Sequence, residues 1–110
     1  MNECVVLSPT AILGYGFPLE SFEKGMSFNP NVIAVDAGST DPGPYYLGSG
    51  KCFTDFLAVK RDLEIMMQAG LGKKIPIIIG SAGGSGARVH LERDIRIIKE
   101  TLGIMPKRTV

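Results

Sequence analysis

Gly80-Ser81-Ala82-Gly83-Gly84-Ser85-Gly86 lies directly after the apolar run Ile75-Pro76-Ile77-Ile78-Ile79 and before an amphipathic stretch. Glycines let backbone N–H groups approach a ligand and adopt positive φ. The start of a following helix adds partial positive charge. Together they suit a phosphate or carboxylate, and Gly80, Ser81, Gly83, Gly84 and Ser85 are the expected holders of an anionic small-molecule substrate. The spacing fits neither the dinucleotide fingerprint nor the P-loop, whose Gly spacing and Gly-Lys-Ser/Thr ending are absent. A tight turn with close helix–strand packing is the competing reading. Arg88, in the first turn that follows, is placed either to pair with a carboxylate or phosphate or to stand in solvent.

A second loop runs from Asp36 to Gly50 after the apolar run Asn31-Val32-Ile33-Ala34-Val35. Asp36 and Asp41 are candidate catalytic carboxylates. They can divide acid and base roles or share a divalent cation such as Mg through oxygen ligands. A charge at a buried strand end needs a partner, which favours a functional Asp36. Asp41-Pro42-Gly43 can equally be turn chemistry. Ser39 and Thr40 add hydroxyls, and Tyr45 and Tyr46, read as loop residues, can wall a substrate pocket or fold back over the next helix.

His90, the single histidine, falls in a helix's first turn beside the glycine loop. It is a candidate acid–base group, against a structural or exposed side chain. The first loop, Ser8 to Gly16, offers Ser8 and Thr10, but no base is placed to activate either hydroxyl. Cys4 and Cys52 match no metal or redox spacing and read as free thiols, with Cys52 ahead of a helix but packed.

The elements that must position these loops follow from periodicity. Cys4–Leu7, Asn31–Val35 and Ile75–Ile79 are near-continuous apolar runs, the mark of parallel strands buried on both faces. Pro76 is tolerated only at a strand's start. A helix is expected over Pro18–Met26 with the proline in its first turn. A second spans Thr54 to about Gly70, capped by Thr54 and ended by Gly70 or Gly72. The third covers Arg88–Leu102, with Leu91, Ile95, Ile98 and Leu102 on its core face, Arg93, Arg96 and Lys99 mostly off it, and Gly103 as terminator. The order β-α-β-α-β-α implies an α/β fold, a three-layer Rossmann-like parallel sheet with right-handed crossovers. All three loops then emerge at the strands' carboxyl edge. Three strands make an incomplete sheet with unpaired edges. Residues 1–110 therefore read as a single α/β unit, either the N-terminal portion of a larger domain or an obligate subunit, with a homo-oligomer or a partner subunit completing the sheet.

The chain's 110 residues suffice for one domain. The net charge of +1, with Lys and Arg dispersed, gives no footprint for nucleic acid or an anionic membrane surface. No run of about 20 apolar residues is present, and Met1-Asn2-Glu3-Cys4 lacks a basic leader, so the expected location is cytoplasmic. Most of the 14 glycines cluster against apolar runs, as in structured loops.

Three segments carry a family resemblance: Ser8-Pro9-Thr10-Ala11-Ile12-Leu13-Gly14-Tyr15-Gly16-Phe17-Pro18, Val35-Asp36-Ala37-Gly38-Ser39-Thr40-Asp41-Pro42-Gly43-Pro44-Tyr45-Tyr46-Leu47-Gly48 and Ile79-Gly80-Ser81-Ala82-Gly83-Gly84. Up to about His90 the chain resembles the N-terminal part of the acyclic terpene utilisation (AtuA-like) family, whose members are several hundred residues long. The tail after Thr101 does not share it. The resemblance implies part of a catabolic enzyme for organic acids or terpenoids. The expected activity is of lyase or hydrolase type on a small carboxylate or activated acid. A non-catalytic nucleotide- or phosphate-binding module, or an inactive structural fragment, is the alternative.

Overall fold

The computed structural model of the protein describes residues 3–38 and 44–104. Its elements follow in the order β1 (Val6–Leu7), α1 (Leu19–Met26), β2 (Val32–Asp36), α2 (Pro44–Ser49), α3 (Phe56–Lys73), β3 (Ile77–Gly80) and α4 (Arg88–Ile104). The three apolar runs form strands and pair in parallel in the order β1-β2-β3. Pro76 sits just ahead of β3, where its missing N–H costs nothing and its carbonyl still accepts from Ile33 N at 3.1 Å.

Local chemistry moves several boundaries. Asp55, not Thr54, caps α3: its carboxylate accepts from the N–H groups of Leu57 and Ala58. The helix runs through Gly70 and ends at Lys74, whose φ is 58°. Gly70 is a contact point inside the helix, against Ile77. Pro18 precedes α1 in extended conformation instead of entering its first turn. Tyr45 and Tyr46 lie on a short helix, α2, where a loop was expected; Pro44 opens it, with φ already suited to a first helical position. Gly103 lies within α4 rather than ending it.

Register decides which side of the sheet is covered. Leu7, Ile33 and Ile77 are aligned across the three strands and share one face. Leu7 packs against Gly25 of α1 and Ile77 against Gly70 of α3, so both crossover helices lie on that face. Sequential strand order with right-handed crossovers requires this arrangement. The core forms there, from Leu13, Phe17, Phe22, Ile33, Val35, Val59, Leu63, Met66 and Ile97. On the opposite face Val6 is 55% and Ile78 58% exposed. The expectation of strands buried on both faces is thus met on one face only among the described residues.

α4 packs against α3, but not with its expected face. His90, Asp94, Ile97 and Thr101 are the buried residues, whereas Leu91, Ile95 and Leu102 are exposed. β3 is the outer strand of the sheet among the described residues, and α4 packs on α3. An apolar cavity of about 360 Å³ opens there, lined by residues of α3, β3 and α4 that include Leu71, Ile77, Ile79, Ile98 and Leu102.

One-sided coverage predicts unequal costs of truncation. Ile33→Ala, at a fully buried position, should lose roughly 2–5 kcal/mol in urea unfolding. Ile78→Ala on the open face should lose less than about 1 kcal/mol. Equal losses would mean that both faces are covered.

Candidate functional site

Parallel pairing carries the three loops to one rim. β2 and β3 end level, with Asp36 aligned to Gly80. Ala37 N–H donates to the Gly80 carbonyl at 2.8 Å, and Leu13 N–H donates to the Asp36 carbonyl at 2.8 Å. The first loop is anchored from below by Asp62 of α3. This fully buried carboxylate accepts from Gly14 N–H at 2.8 Å and Gly16 N–H at 3.1 Å through one oxygen. Arg61 Nη1 donates to its other oxygen at 3.2 Å.

The second and third loops touch at glycines. A Cβ on Gly38 would overlap the Gly84 carbonyl oxygen and stand 2.7 Å from Ser81 Cβ. Gly83 has φ of 77°, and a Cβ there would run into the His90 carbonyl. Its N–H donates to Asp94 Oδ2 at 2.8 Å. Gly84 N–H donates to the Ser81 carbonyl and Gly86 N–H to the Ala82 carbonyl. The amides of Gly83 and Gly84 are therefore turned inward, as close packing requires. Ser81 itself adopts a φ of 49°, an uncommon conformation for a side chain other than glycine.

An aromatic row borders the rim. Tyr15 meets Phe53 edge-on at 6.5 Å between ring centroids. Tyr46 lies 5.8 Å from Phe53, and Tyr45 meets Tyr46 edge-on at 5.1 Å. Tyr15 and Tyr45 are exposed, Tyr46 less so. Of the two tyrosines expected to wall a pocket or fold back over the next helix, Tyr45 is exposed and Tyr46 is half-buried between Tyr45 and Phe53.

The remaining expected site residues divide. Asp36 is exposed rather than buried, and its Oδ1 accepts from Gly38 N–H at 2.9 Å within its own turn. Ser39, Thr40 and Asp41 lie outside the described residues. Gly80 and Ser81 are exposed and Ser85 is half-buried at the rim. Arg88 extends into solvent, 4.0 Å from Glu92. Among the described residues no group of three His, Cys, Asp or Glu side chains is arranged to hold a metal, and Asp36 alone does not make a cation site.

His90 is fully buried. Its Nε2 stands 2.9 Å from the Tyr46 carbonyl and 3.1 Å from the Lys51 carbonyl. Carbonyls only accept, so Nε2 carries the proton and the ring ties the end of α2 to α4. An acid–base role finds no support in this geometry.

Sequence reasoning missed the groups beneath the rim. Asp94 is buried, and burial foremost raises its carboxyl above the ordinary 3.8, opposed by the Gly83 N–H and then by the charges of Arg93 and His90. Arg93, placed off the core face from periodicity, donates through Nη2 to the Thr54 carbonyl at 2.7 Å and lies over the Phe56 ring. Cys52 Sγ–H donates to the Gly83 carbonyl. Burial above all raises the Cys52 thiol, with Asp94 adding to it against Arg93, so it stays protonated near neutral pH. The available signal was the second helical row His90, Asp94, Ile97, Thr101 at spacings of four, three and four, hidden beside a more apolar stripe.

Comparison with protein-family models, curated proteins and solved structures finds no match to this chain.

Two outcomes follow from the buried carboxylates. Asp62→Ala strands the Gly14 and Gly16 amides and should cost roughly 2–4 kcal/mol in denaturant unfolding, with the first loop's amides exchanging faster. For Asp94 the native carboxyl keeps its proton to higher pH than the unfolded one. Native protein thus binds more protons between the two values, and stability falls as pH rises through that window. Asp94→Asn retains an acceptor for Gly83 and removes the titration. The variant should gain on the parent as pH rises from about 4, measured by urea unfolding across pH; a constant difference would refute this.

Proposed function

We propose that this chain forms the anion-holding part of a catabolic enzyme acting on a small carboxylate or activated organic acid. The observation that carries this reading is the meeting of all three strand-end loops at one rim, through Leu13 with Asp36 and Gly38 with Gly84. Sites in parallel α/β sheets occupy that edge. Ser81 adds support, because a side chain held at positive φ beside a strand end is a feature that cluster at ligand sites explains.

In this reading the anion lies over the first turn of α4. Its ligands are the hydroxyls of Ser81 and Ser85, the Arg88 guanidinium and the amides of that turn. Gly83 and Gly84 shape the loop and donate nothing, since their amides serve Asp94 and Ser81. Acid–base work of a lyase or hydrolase falls to Asp36 and Asp41, and Tyr15, Tyr45 and Tyr46 border the organic portion. No step is assigned to a metal. The same ligands would serve a phosphate-binding module without catalysis, a reading favoured by the open position of Arg88.

The resemblance to the AtuA-like family supports the catabolic assignment. No helix among the described residues is long and apolar enough to cross a membrane. The exposed Val6 and Ile78 support a three-layer arrangement in which a further helical layer covers the open face.

Amide chemical shifts read the proposal directly. Titration with acetate, a dicarboxylate and inorganic phosphate should move the amides of Ser81, Ser85 and Arg88. Arg88→Ala should weaken the binding by roughly 10- to 100-fold, the range of a charge-assisted contact. Tighter binding of phosphate than of either carboxylate would favour the module. Shifts absent from those residues, or unchanged by Arg88→Ala, would refute the site.

A further inference from the structure

The row Leu91, Ile95, Ile98 and Leu102 on α4 is spaced at four, three and four residues, the seam spacing of paired helices. Leu91, Ile95 and Leu102 are between 38% and 47% exposed, while the neighbouring row of His90, Asp94, Ile97 and Thr101 is buried. Single exposed apolar residues are ordinary on protein surfaces; a continuous row at heptad spacing marks an interaction face. Ile98 and Leu102 also line the cavity beside β3, so the row runs into a depression that can accept side chains from outside.

Charge on the flank indicates what covers it. Glu92 and Lys99 stand one heptad apart on the side of the row away from the buried one, and both are exposed. In an antiparallel helix pair equivalent flanks face one another. With a two-fold axis between positions 96 and 97, Ile95 meets Ile98 and Leu91 meets Leu102. Glu92 of one copy then lies about 3 Å along the axis from Lys99 of the other, at 1.5 Å per residue. Symmetry makes this contact twice. A parallel pair would instead set that flank against the one carrying Asp94 and Thr101, which is buried.

We propose that α4 is a self-association surface, on which a second copy of this chain packs its own Leu91–Leu102 row antiparallel, with Glu92 of each copy opposite Lys99 of the other. One helix pair is small among protein interfaces, so the dimer is weak and depends on concentration.

Sedimentation analysis of the whole chain, from roughly ten micromolar to about half a millimolar, should show the mass rise from monomer towards dimer. Ile95→Lys and, separately, Leu91→Gln should abolish the rise while leaving the helical circular dichroism unchanged, both positions being exposed. Glu92→Lys and Lys99→Glu should each weaken dimerisation by roughly three- to tenfold, as expected for exposed like-charge contacts, and the double variant should recover it. A chain that stays monomeric throughout overturns the proposal, whether the row is then open or covered by other polypeptide. So does a dimer indifferent to Ile95→Lys, or a double variant no tighter than either single one.

Discussion

A carboxylate can be buried only where hydrogen-bond donors replace the water it loses. Asp62 meets that requirement through the amides of Gly14 and Gly16 and the Arg61 guanidinium. Asp94 meets it at one oxygen, through the Gly83 amide, while its other oxygen is buried without a hydrogen-bond partner, 3.8 Å from Arg93 Nη1. Each carboxylate sits on a helix and each amide on a loop at the sheet's carboxyl edge. The helices thus hold the loops by charge-assisted bonds that neither hydrophobic contact nor strand pairing could supply. His90 does the same in reverse, giving a ring N–H to the carbonyls of Tyr46 in α2 and Lys51 in the loop after it.

These ties explain why glycine is concentrated at the rim. An amide can reach a buried carboxylate only if its own residue adds no bulk, and Gly83 approaches the His90 backbone too closely for a Cβ. Gly38 answers the same constraint against Gly84. The loops pack on one another before they can present anything to a ligand, so packing and presentation divide the segment: glycine amides turn inward, while Ser81 and Arg88 remain exposed at the rim.

Much of the fold could be read from sequence because its signals are local. Three β-branched runs and three helical periodicities lie where strands and long helices form, and the parallel order follows from their alternation. The coverage of the sheet could not be read, because a continuous apolar run looks the same whether one face or both are buried. Ile78 and Ile79 differ in environment though not in type. α4 was misread for a related reason: two helical rows adjoin, and the more apolar one, from Leu91 to Leu102, is not the one that packs. α2 escaped notice because six residues rich in tyrosine and glycine carry no helical period. At the rim, the glycine loop was evident, but Asp62 and Asp94 gave no signal of their loop partners, since nothing in the sequence pairs a helix aspartate with a distant glycine amide.

Strand order has a consequence for how the chain acquires its shape. Because β1, β2 and β3 adjoin in the order of synthesis, each new strand docks on the one completed just before it. Among the described residues no pairing awaits a distant segment, and each closure spans a single strand–helix–strand unit, which keeps the entropic toll of ring closure low. A nascent chain can therefore build these strands outward from β1 to β3, with each crossover helix laid down before the next strand arrives.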